Sequence, residues 1–416
     1  MRKIFVILLA VFLTASSMTI SFAETNQQPA LQAKAAVLID SSTGEILLDK
    51  NMNRKMYPAS TTKIMTALLV LENLDLSKTV TIDKETALTG GSQINLAEGE
   101  HITVEQLLYA LLLKSANDAA VALAKEVSGS VPEFAALMNA RAKELGAKNT
   151  NFVTPNGLPD TNHYTTAYDL AMIARGAMRN EKFRDIVTTL RYTIPATDKS
   201  DARELKNPNK LLYSQSKIEV NGVQRPLKYK GTTGIKNGYT SEAGRCLAAS
   251  AKRGGTELIS VVLNTTAEGK FADSIALLDY GFENYRNVPA VRKGEALGET
   301  KVSRGTMRNV EMIAEKTAYV TVPAKKAEAS EVRTKVIKEQ KIEAPVFKGQ
   351  KIGTIEIYKG NILIGQVDAV AAVSVDKGGP LSFLGISDRA SYVLAGCFLI
   401  IIVLLAAFIF RRRKHI

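Results

Sequence analysis

Ser60 and Lys63 are spaced so that a lysine amine can activate a serine hydroxyl. They belong to Ser60-Thr61-Thr62-Lys63, at the start of an apolar segment. A spacing of three residues puts both side chains on one face of a helix, about one turn apart. A serine hydroxyl is a weak nucleophile until a neighbour takes its proton, and a lysine can do so when burial and nearby cations lower its pKa. The pattern predicts a nucleophilic serine with a lysine base.

This four-residue pattern is not specific by itself, because it recurs at 214–217 and 374–377. The copy at Ser60 differs because a long apolar helix is predicted directly after it. In addition, Ser115-Ala116-Asn117, the only Ser-x-Asn of the chain, follows at a predicted break between helices. There Ser115 can pass a proton to a leaving nitrogen, and the Asn117 amide can hold both the lysine and a substrate carbonyl.

Lys236-Asn237-Gly238, within the segment GTTGIKNGYTSEAG, allows two interpretations from the residues alone. Asn-Gly is typical of a two-residue hairpin loop, because both positions tolerate a positive φ. A lysine and a glycine that flank one residue on a strand are instead typical of the third signature of penicillin-interacting serine enzymes, in which the middle residue is threonine.

Together the three motifs resemble those of the exported D-alanyl-D-alanine carboxypeptidases, which are low-molecular-mass penicillin-binding proteins. The resemblance implies an α/β fold of the penicillin-binding protein and β-lactamase-like transpeptidase type, an antiparallel sheet with helices. It also implies a small C-terminal all-β domain and a C-terminal transmembrane helix. The segments that carry the resemblance are YPASTTKIMTALLVLE, LLLKSANDAAVALA, NFVTPNGLPDTNHYTTAYDLA and GIKNGYTSEAGRCLAASAKR.

The resemblance implies roles for the residues of the first two motifs. Ser60 would attack the peptide bond between the two terminal D-alanines of a peptidoglycan stem peptide and form an acyl-enzyme. Lys63 would be the general base, Ser115 would help to protonate the departing D-alanine, and Asn117 would hold the substrate. Water would then hydrolyse the acyl-enzyme, and β-lactams would acylate the same serine.

The third motif would bind the substrate carboxylate and the oxyanion. Lys236 would supply positive potential for the carboxylate, beside Asn237 and Gly238. The backbone N–H groups of Ser60 and Tyr239 would form the oxyanion hole, in which such donors typically contribute ~3–4 kcal/mol each. Asn237 replaces the threonine or serine of the family. Since a lost hydrogen bond to a charged group costs roughly 1.5–3 kcal/mol, we expect reduced rather than abolished activity.

Two of three alternatives stay open on the sequence. A class A β-lactamase would share the motifs, but it needs a glutamate in an E-x-x-L-N element, which the sequence lacks. A DD-endopeptidase would differ only in the amide that it accepts. A catalytically impaired, wall-binding homologue would carry Asn237 as its mark, although the other motif side chains that would do chemistry are intact.

The elements that would position these residues are visible as periodic patterns. Residues 35–50, AAVLIDSSTGEILLDK, predict a strand, a turn and a strand. From Ile64 the next helix is apolar nearly all round, which is typical of a central buried helix. Thr103 is a predicted N-cap, and 235–263 contains two strand-like segments around a Gly-Gly turn. We assign 24–290 to one catalytic domain.

Residues 291–380 have a different pattern. Segments such as TAYVTVPA and KIGTIEIYKG alternate apolar and polar residues, and helical periodicity is absent. This alternation predicts a small β-rich domain. We expect this domain to act as a spacer that holds the active site above a membrane.

Both ends of the chain indicate export and membrane attachment. Residues 1–23 combine a basic start, a ten-residue apolar run and a small-x-small end, the pattern of a cleaved signal peptide. Residues 390–410 form a 21-residue segment without charge, and at ~1.5 Å rise each they span a bilayer core of ~30 Å. The basic tail, 411–416, predicts a cytoplasmic C-terminus. We expect a single-pass bacterial membrane protein with an extracytoplasmic catalytic domain.

Composition argues against other partners. The net charge is +13, but six of these charges lie at the two ends, and no basic motif indicates nucleic acid. Cys246 and Cys397 fall in a predicted core strand and in the span, so we expect no disulfide. The histidines lack metal-ligand spacing, so no metal or other cofactor is predicted. We expect His163 to make a structural hydrogen bond, and Asp118 and Asp169 to cap helices.

Overall fold

The computed structural model describes residues 28–324, 332–379 and 388–413. Its centre is a five-stranded antiparallel sheet with the strand order β2-β1-β11-β10-β9. The strands of this central sheet are β1 (Ala35–Asp40), β2 (Ile46–Lys50), β9 (Thr232–Thr240), β10 (Gly244–Arg253) and β11 (Thr256–Thr265). The predicted signal peptide, 1–23, lies outside the described residues, as do 414–416 of the predicted tail.

Helices cover both faces of the central sheet. Val37 and Ile39 of β1 pack in the larger hydrophobic core, whereas Ala36 and Leu38 pack in the core on the other face. Successive side chains of a strand point to opposite faces, so a strand buried on both sides contributes to two cores. The helices of this α/β part are α1 (Lys63–Asn73), α2 (Lys84–Ala87), α3 (Val104–Tyr109), α4 (Asn117–Ser128), α5 (Val131–Glu144), α6 (Ala167–Ala177), α7 (Glu181–Thr188) and α8 (Gly269–Asn284).

Short elements complete the α/β part. Three two-stranded sheets join β3 to β4, β5 to β6 and β7 to β8. Their bounds are β3 (Thr79–Thr81), β4 (His101–Thr103), β5 (Arg191–Ile194), β6 (Arg203–Lys206), β7 (Lys217–Val220) and β8 (Val223–Pro226). A 3-10 turn, Lys210–Leu212, precedes β7.

A separate turn precedes the central helix. Ala59–Thr62 is a 3-10 turn and α1 begins at Lys63, so Ser60 lies before the α-helix rather than in its first turn. In 3-10 geometry residues three apart eclipse one another, which brings Ser60 and Lys63 to the same side. Ala59 has a φ of 49°, an uncommon value for a residue with a Cβ and one that clusters at functional sites.

A break between helices carries the second motif. The side chain of Thr103 accepts from the backbone N–H of Gln106, and the Gln106 side chain closes the capping box, so the predicted N-cap is confirmed. A π-helical turn, Ala110–Lys114, continues α3 and ends at Ser115, which has a φ of 64°. The next helix, α4, starts at Asn117. The left-handed residue turns the chain, so both polar side chains of the motif lie at the junction.

Beyond α8 the chain forms two antiparallel sheets, which we call the β module (residues 285–324 and 332–379). The smaller sheet pairs β12 (Tyr285–Val291) with β15 (Ala318–Pro323). The larger sheet has the order β13-β14-β18-β17-β16. Its strands are β13 (Ala296–Lys301), β14 (Asn309–Ala314), β16 (Val332–Lys338), β17 (Lys351–Lys359) and β18 (Ile362–Ala371).

One end of the β module contacts the turn between β1 and β2. Lys359 Nζ lies 2.9 Å from Glu45 Oε1, and the hydroxyls of Thr43 and Thr321 are 3.0 Å apart. Lys359 is the last residue of β17, whose first residue is Lys351. At ~3.3 Å per residue the two ends of this strand lie about 26 Å apart, and Lys351 is at the end remote from this contact.

The described chain ends in a long apolar helix, α9 (Asp388–Arg413). Among the described residues, one helix is long and apolar enough to cross a membrane: Ala390–Arg411, 22 residues with a mean hydropathy of 3.2. This helix contains the predicted span, 390–410.

Candidate active site

Lys63 makes three short polar contacts from a fully buried position. Its Nζ lies 3.1 Å from Ser60 Oγ, 2.7 Å from Asn117 Oδ1 and 2.6 Å from the backbone oxygen of Asn156. The amide oxygens of the two asparagines can only accept hydrogen bonds. A neutral amine has two N–H donors and one lone pair. The three contacts suit an ammonium that donates to all three oxygens, and they also suit a neutral amine that donates to both asparagines and accepts from the serine hydroxyl.

The surroundings of Lys63 favour this neutral form. Burial lowers the pKa of Lys63 well below its ordinary value, and the positive charge of Lys236 lowers it further, whereas Asp118 opposes the shift. The ammonium form loses its hydration when it is buried, so the amine form is preferred. An amine beside Ser60 can accept the hydroxyl proton, as the sequence pattern predicts.

Lys236 brings the second and third motifs together. It is buried in β9, and its Nζ donates to Ser115 Oγ at 3.1 Å and to the backbone oxygen of Asn237 at 2.9 Å. Burial and the positive charge of Lys270 lower the pKa of Lys236 to about 7. Near neutral pH the amine is thus only partly charged, and a bound carboxylate would favour its cationic form.

The third motif is a strand, so the hairpin interpretation is wrong. Lys236, Asn237 and Gly238 lie inside β9 and pair with three residues of β10. A Cβ at Gly238 would lie 2.9 Å from the backbone nitrogen of Ser60 and 3.1 Å from the backbone oxygen of Pro58. Glycine is needed there because the edge strand runs directly against the turn that carries the serine.

Asn237 and Tyr239 lie on the other side of β9 from Lys236, since side chains alternate along a strand. Asn237 Oδ1 is buried and has no hydrogen-bond partner among the described residues. Buried polar atoms are rarely left unpaired, so the oxygen of this amide is not fixed by a hydrogen bond as most buried polar atoms are. The Tyr239 ring is 54% exposed, and the guanidinium of Arg245 lies 3.7 Å from its centroid.

His163 holds the turn that carries Ser60. Two backbone N–H groups of the preceding loop donate to its Nδ1 at 3.0 and 3.3 Å, so Nε2 carries the proton. That nitrogen lies 2.9 Å from Thr62 Oγ1, and the threonine hydroxyl donates to the backbone oxygen of Ala59 at 2.8 Å. Burial lowers the pKa of His163 to about 4, so the ring is neutral. The expected structural hydrogen bond of His163 is confirmed.

Sequence reasoning missed Asn156 and Lys270. Asn156 contributes a backbone oxygen, which has no signature in a sequence. Lys270 is buried in the first turn of α8, and burial with two neighbouring cations lowers its pKa to about 8. In the sequence, the one sign that Lys270 is unusual is its place in the first turn of a helix, where the helix dipole disfavours a cation.

Three other polar residues have structural surroundings. Asp118 accepts from the backbone N–H groups of Ile94 and Leu96 at 3.1 and 3.2 Å. Asp169 accepts from a backbone N–H at 2.6 Å, and its own N–H donates to the N-cap hydroxyl of α6. Cys246 is fully buried, and burial raises the pKa of its thiol to about 11. The expectation that Asp118 and Asp169 cap helices is wrong, because the N-cap residues of α4 and α6 are Ala116 and Thr166 and the two carboxylates accept from loop N–H groups instead. The expected core position of Cys246 is confirmed.

A cleft of about 920 Å³ opens between the α/β part and the β module. Arg175, Arg179, Lys316 and Tyr319 are among its lining residues, and the residues of the three motifs are not. The candidate active site is therefore identified by its chemistry and not by the size of a cavity.

Comparison with known sequences gives a match on both parts of the chain. The family of D-alanyl-D-alanine carboxypeptidases matches residues 22–267, and the penicillin-binding protein 5 C-terminal domain matches residues 285–377. The chain belongs to the D-alanyl-D-alanine carboxypeptidase family. The carboxypeptidase DacF of Bacillus subtilis is 36% identical over 361 residues, 85% of this chain and 88% of that protein. The carboxypeptidase DacC of Escherichia coli is 31% identical over 373 residues, 86% and 87% of the two chains.

Solved structures of such carboxypeptidases and penicillin-binding proteins share the fold. Penicillin-binding protein 5 of Haemophilus influenzae superposes with a TM-score of 0.65 at 30% identity and covers 84% of this chain and 99% of its own. The carboxypeptidase DacD of Francisella tularensis gives 0.59 at 27% identity, over 87% and 98% of the two chains. The predicted fold class, an α/β transpeptidase fold with a C-terminal all-β part, is confirmed.

Proposed function

We propose that this member of the D-alanyl-D-alanine carboxypeptidase family removes the terminal D-alanine from peptidoglycan stem pentapeptides through an acyl-enzyme on Ser60. The observation that carries the proposal is the buried amine of Lys63, 3.1 Å from Ser60 Oγ. Two fixed amide oxygens hold this nitrogen beside the serine hydroxyl, and burial favours its neutral form. Family membership indicates the reaction, and this contact supports the choice of nucleophile and base.

Acylation begins when Lys63 takes the Ser60 proton and Oγ attacks the carbonyl carbon of the penultimate D-alanine. The oxyanion then accepts from the backbone N–H groups of Ser60 and Tyr239. Two observations support Tyr239. Gly238 packs against the backbone nitrogen of Ser60. The backbone oxygen of Asn237 accepts from Lys236 Nζ on the outer edge of the sheet. Strand residues two apart present their backbone groups to the same side, so the N–H of Tyr239 also faces that edge.

The departing D-alanine needs a proton on its nitrogen. Ser115 supplies it as the C–N bond breaks, and the proton originates from the ammonium group formed on Lys63. The 3.1 Å contact between Lys236 Nζ and Ser115 Oγ supports this role, because a donor on the hydroxyl oxygen leaves its own proton free to be passed on. Asn117 holds the base and the substrate carbonyl.

The carboxylate of the terminal D-alanine binds at β9. Lys236 provides the nearest positive charge, with Asn237 and Gly238 beside it, and the buried Lys270 adds a second cation. Burial lowers the pKa of a lysine, and a bound carboxylate then favours the charged form of that lysine. Water then hydrolyses the ester on Ser60. A β-lactam, which presents a carboxylate and a reactive amide to the same groups, acylates the same serine.

We also propose that the protein is anchored in the bacterial membrane by α9, with the catalytic domain on the extracytoplasmic face and the basic tail in the cytoplasm. Its apolar length and the arginines at its end support this orientation. The β module then acts as the spacer between the bilayer and the active site, since β17 alone extends about 26 Å away from the contact with the α/β part.

The test is a penicillin adduct mapped by mass spectrometry on the purified full chain. We expect one acylated peptide, containing Ser60, which Ser60→Ala abolishes. Ser214→Ala, in a chance copy of the same pattern, is the matched control and keeps the adduct. Incubation with a peptide that ends in D-Ala-D-Ala releases free D-alanine in the wild type and in Ser214→Ala, but not in Ser60→Ala. An unmodified Ser60 with no D-alanine released would instead favour the wall-binding homologue, and release from cross-linked dimers alone would favour an endopeptidase.

A further inference from the structure

We propose that the end of the β module remote from the α/β part docks on the surface of the anionic bilayer in which α9 is anchored. The proposal rests on the membrane attachment proposed above. We call this surface the distal end, and it comprises residues 301–308, 341–350 and 372–378. It lies beyond Lys351, at the opposite end of β17 from the contact between Lys359 and Glu45.

Three short segments are hydrogen-bonded side by side at the distal end. The backbone N–H of Val346 donates to the oxygen of Val375 at 2.9 Å, and the reverse bond is 2.8 Å. The N–H of Thr306 donates to the oxygen of Asp376 at 2.9 Å. Val346 and Val375 are buried in a small hydrophobic core below. The outer face of the distal end is thus a fixed surface and not a set of independent loops.

The distal end carries exposed apolar side chains. Phe347 is 65% exposed, Met307 is 48% exposed and Val373 is 45% exposed. Each belongs to a different one of the three segments. Exposed apolar residues grouped with basic ones are the composition by which peripheral surfaces enter a lipid headgroup region.

The distal end is also strongly basic. Glu343 is shared by ion pairs with Arg304 at 3.0 Å and Lys341 at 4.0 Å. The other basic side chains have no ion-pair partner among the described residues. Six basic residues stand against two acidic ones: Lys301, Arg304, Arg308, Lys341, Lys348 and Lys377 against Glu343 and Asp376. Anionic lipids attract basic residues close to the membrane surface, so the charge complements a bilayer.

The chain itself brings this surface to the bilayer. The described part of the β module ends at Gly379, beside the distal end, and α9 starts at Asp388. The eight intervening residues could span at most ~30 Å even if fully extended. A surface held this close to lipid meets it at a high effective concentration, which favours the bilayer over a soluble protein partner as its occupant.

The absence of tryptophan from the sequence permits a direct test. Phe347→Trp places a single fluorophore on the distal end of the full chain. The protein is reconstituted in vesicles of phosphatidylethanolamine and phosphatidylglycerol whose acyl chains carry bromine, a contact quencher. Ile362→Trp is the matched control. Ile362 is 71% exposed and lies at the start of β18, at the end of the β module opposite to Phe347. We expect loss of emission and a shift to shorter wavelength for Phe347→Trp, and neither for Ile362→Trp.

Charge removal tests the electrostatic part. Lys348→Gln with Lys377→Gln, in the Phe347→Trp chain, should weaken docking on the order of fivefold per lysine and restore emission. Vesicles of phosphatidylcholine should restore it as well. Emission that is unquenched in the anionic vesicles, equally quenched in both tryptophan variants, or indifferent to charge would overturn the proposal.

Membrane anchoring and penicillin labelling are measured on the same samples. A failure of docking can therefore be distinguished from a failure of the anchor or of the active site. Protein that stays with the vesicles in alkaline carbonate retains its anchor, and labelling of Ser60 by penicillin shows an intact active site. An anchored, penicillin-labelled chain with an unquenched tryptophan refutes docking alone. Release of the chain by carbonate refutes the anchor and docking together, but it does not affect the proposed reaction.

Discussion

Lys63 and Lys236 are both buried lysines, but their contacts prepare them for opposite tasks. Lys63 Nζ lies within hydrogen-bond distance of two fixed amide oxygens and the Ser60 hydroxyl, and burial favours its neutral form. Lys236 has a hydroxyl and a backbone oxygen as partners and lies on the strand edge where a carboxylate would bind. Lys63 is thus arranged as a base, and Lys236 is arranged as the cation that binds the substrate carboxylate.

This division predicts a bell-shaped pH profile of kcat/KM. Lys63 must be neutral, and its pKa is lowered, so activity is lost only when the pH falls below that lowered value. Lys236 must be cationic, so activity falls as the pH rises through about 7 in the free enzyme. Arginine stays charged at all relevant pH values, so Lys236→Arg should move the alkaline limb upward. Acylation by a fluorescent penicillin across pH measures both limbs, and an alkaline limb unmoved by this substitution would contradict the assignment.

Asn237 leads to a second prediction at this scale. Its Oδ1 has no partner, and a threonine hydroxyl would donate to the substrate carboxylate instead. A hydrogen bond to a charged group is worth roughly 1.5–3 kcal/mol, so we expect Asn237→Thr to raise D-alanine release or penicillin acylation about tenfold or more. Asn237→Ala is the control and should give no gain. Equal rates in the wild type and the threonine variant would show that the asparagine already binds the carboxylate fully.

Among the elements, the approach of β9 to the 3-10 turn decides whether the oxyanion hole forms. The turn is held from the other side by the bonds from His163 through Thr62 to Ala59. Gly157 has a φ of 82°, and a Cβ there would overlap the backbone oxygen of Ala59. The serine is therefore fixed between a strand and a loop, each of which has a glycine at the contact.

Gly238→Ala tests the strand contact. The added methyl would lie 2.9 Å from the Ser60 nitrogen, so β9 or the turn must move. A displacement of about 1 Å can cost about a hundredfold in rate, and we expect a loss of this size in penicillin acylation. Gly255→Ala is the control, because a Cβ there meets nothing within 4 Å. Both variants should melt cooperatively, and undiminished acylation in Gly238→Ala would mean that the contact is not needed.

At the scale of the whole molecule, the proposed topology has the two ends of the mature chain on opposite sides of the membrane. We expect Ile416→Cys, in a Cys397→Ala chain, to react with an impermeant maleimide only after cells are permeabilised. Leu88→Cys, at a position 75% exposed on the catalytic part, should react in intact cells. Cys246 does not interfere, because it is fully buried. Labelling of the C-terminal cysteine in intact cells would reverse the proposed orientation.

Local patterns made most of the elements predictable. The strand-turn-strand at 35–50, the all-round apolar helix and the alternation in the β module follow from burial periodicity over a few residues. The 3-10 turn at Ser60 and the edge position of β9 were not predictable, because both depend on neighbours distant in the chain. The Asn-Gly pair is the clearest case: local preference favours a hairpin, and pairing with β10 overrides it.

By itself, the sequence determined which side chains could take part and in what order they occur, because residue types and short spacings are local properties. The tertiary structure alone decided the state of those side chains. The contacts of Lys63 with Asn117 and Asn156 span 54 and 93 residues, and that of Lys236 with Ser115 spans 121. Burial and neighbouring charge shift a pKa, and both arise only when such distant residues are packed together.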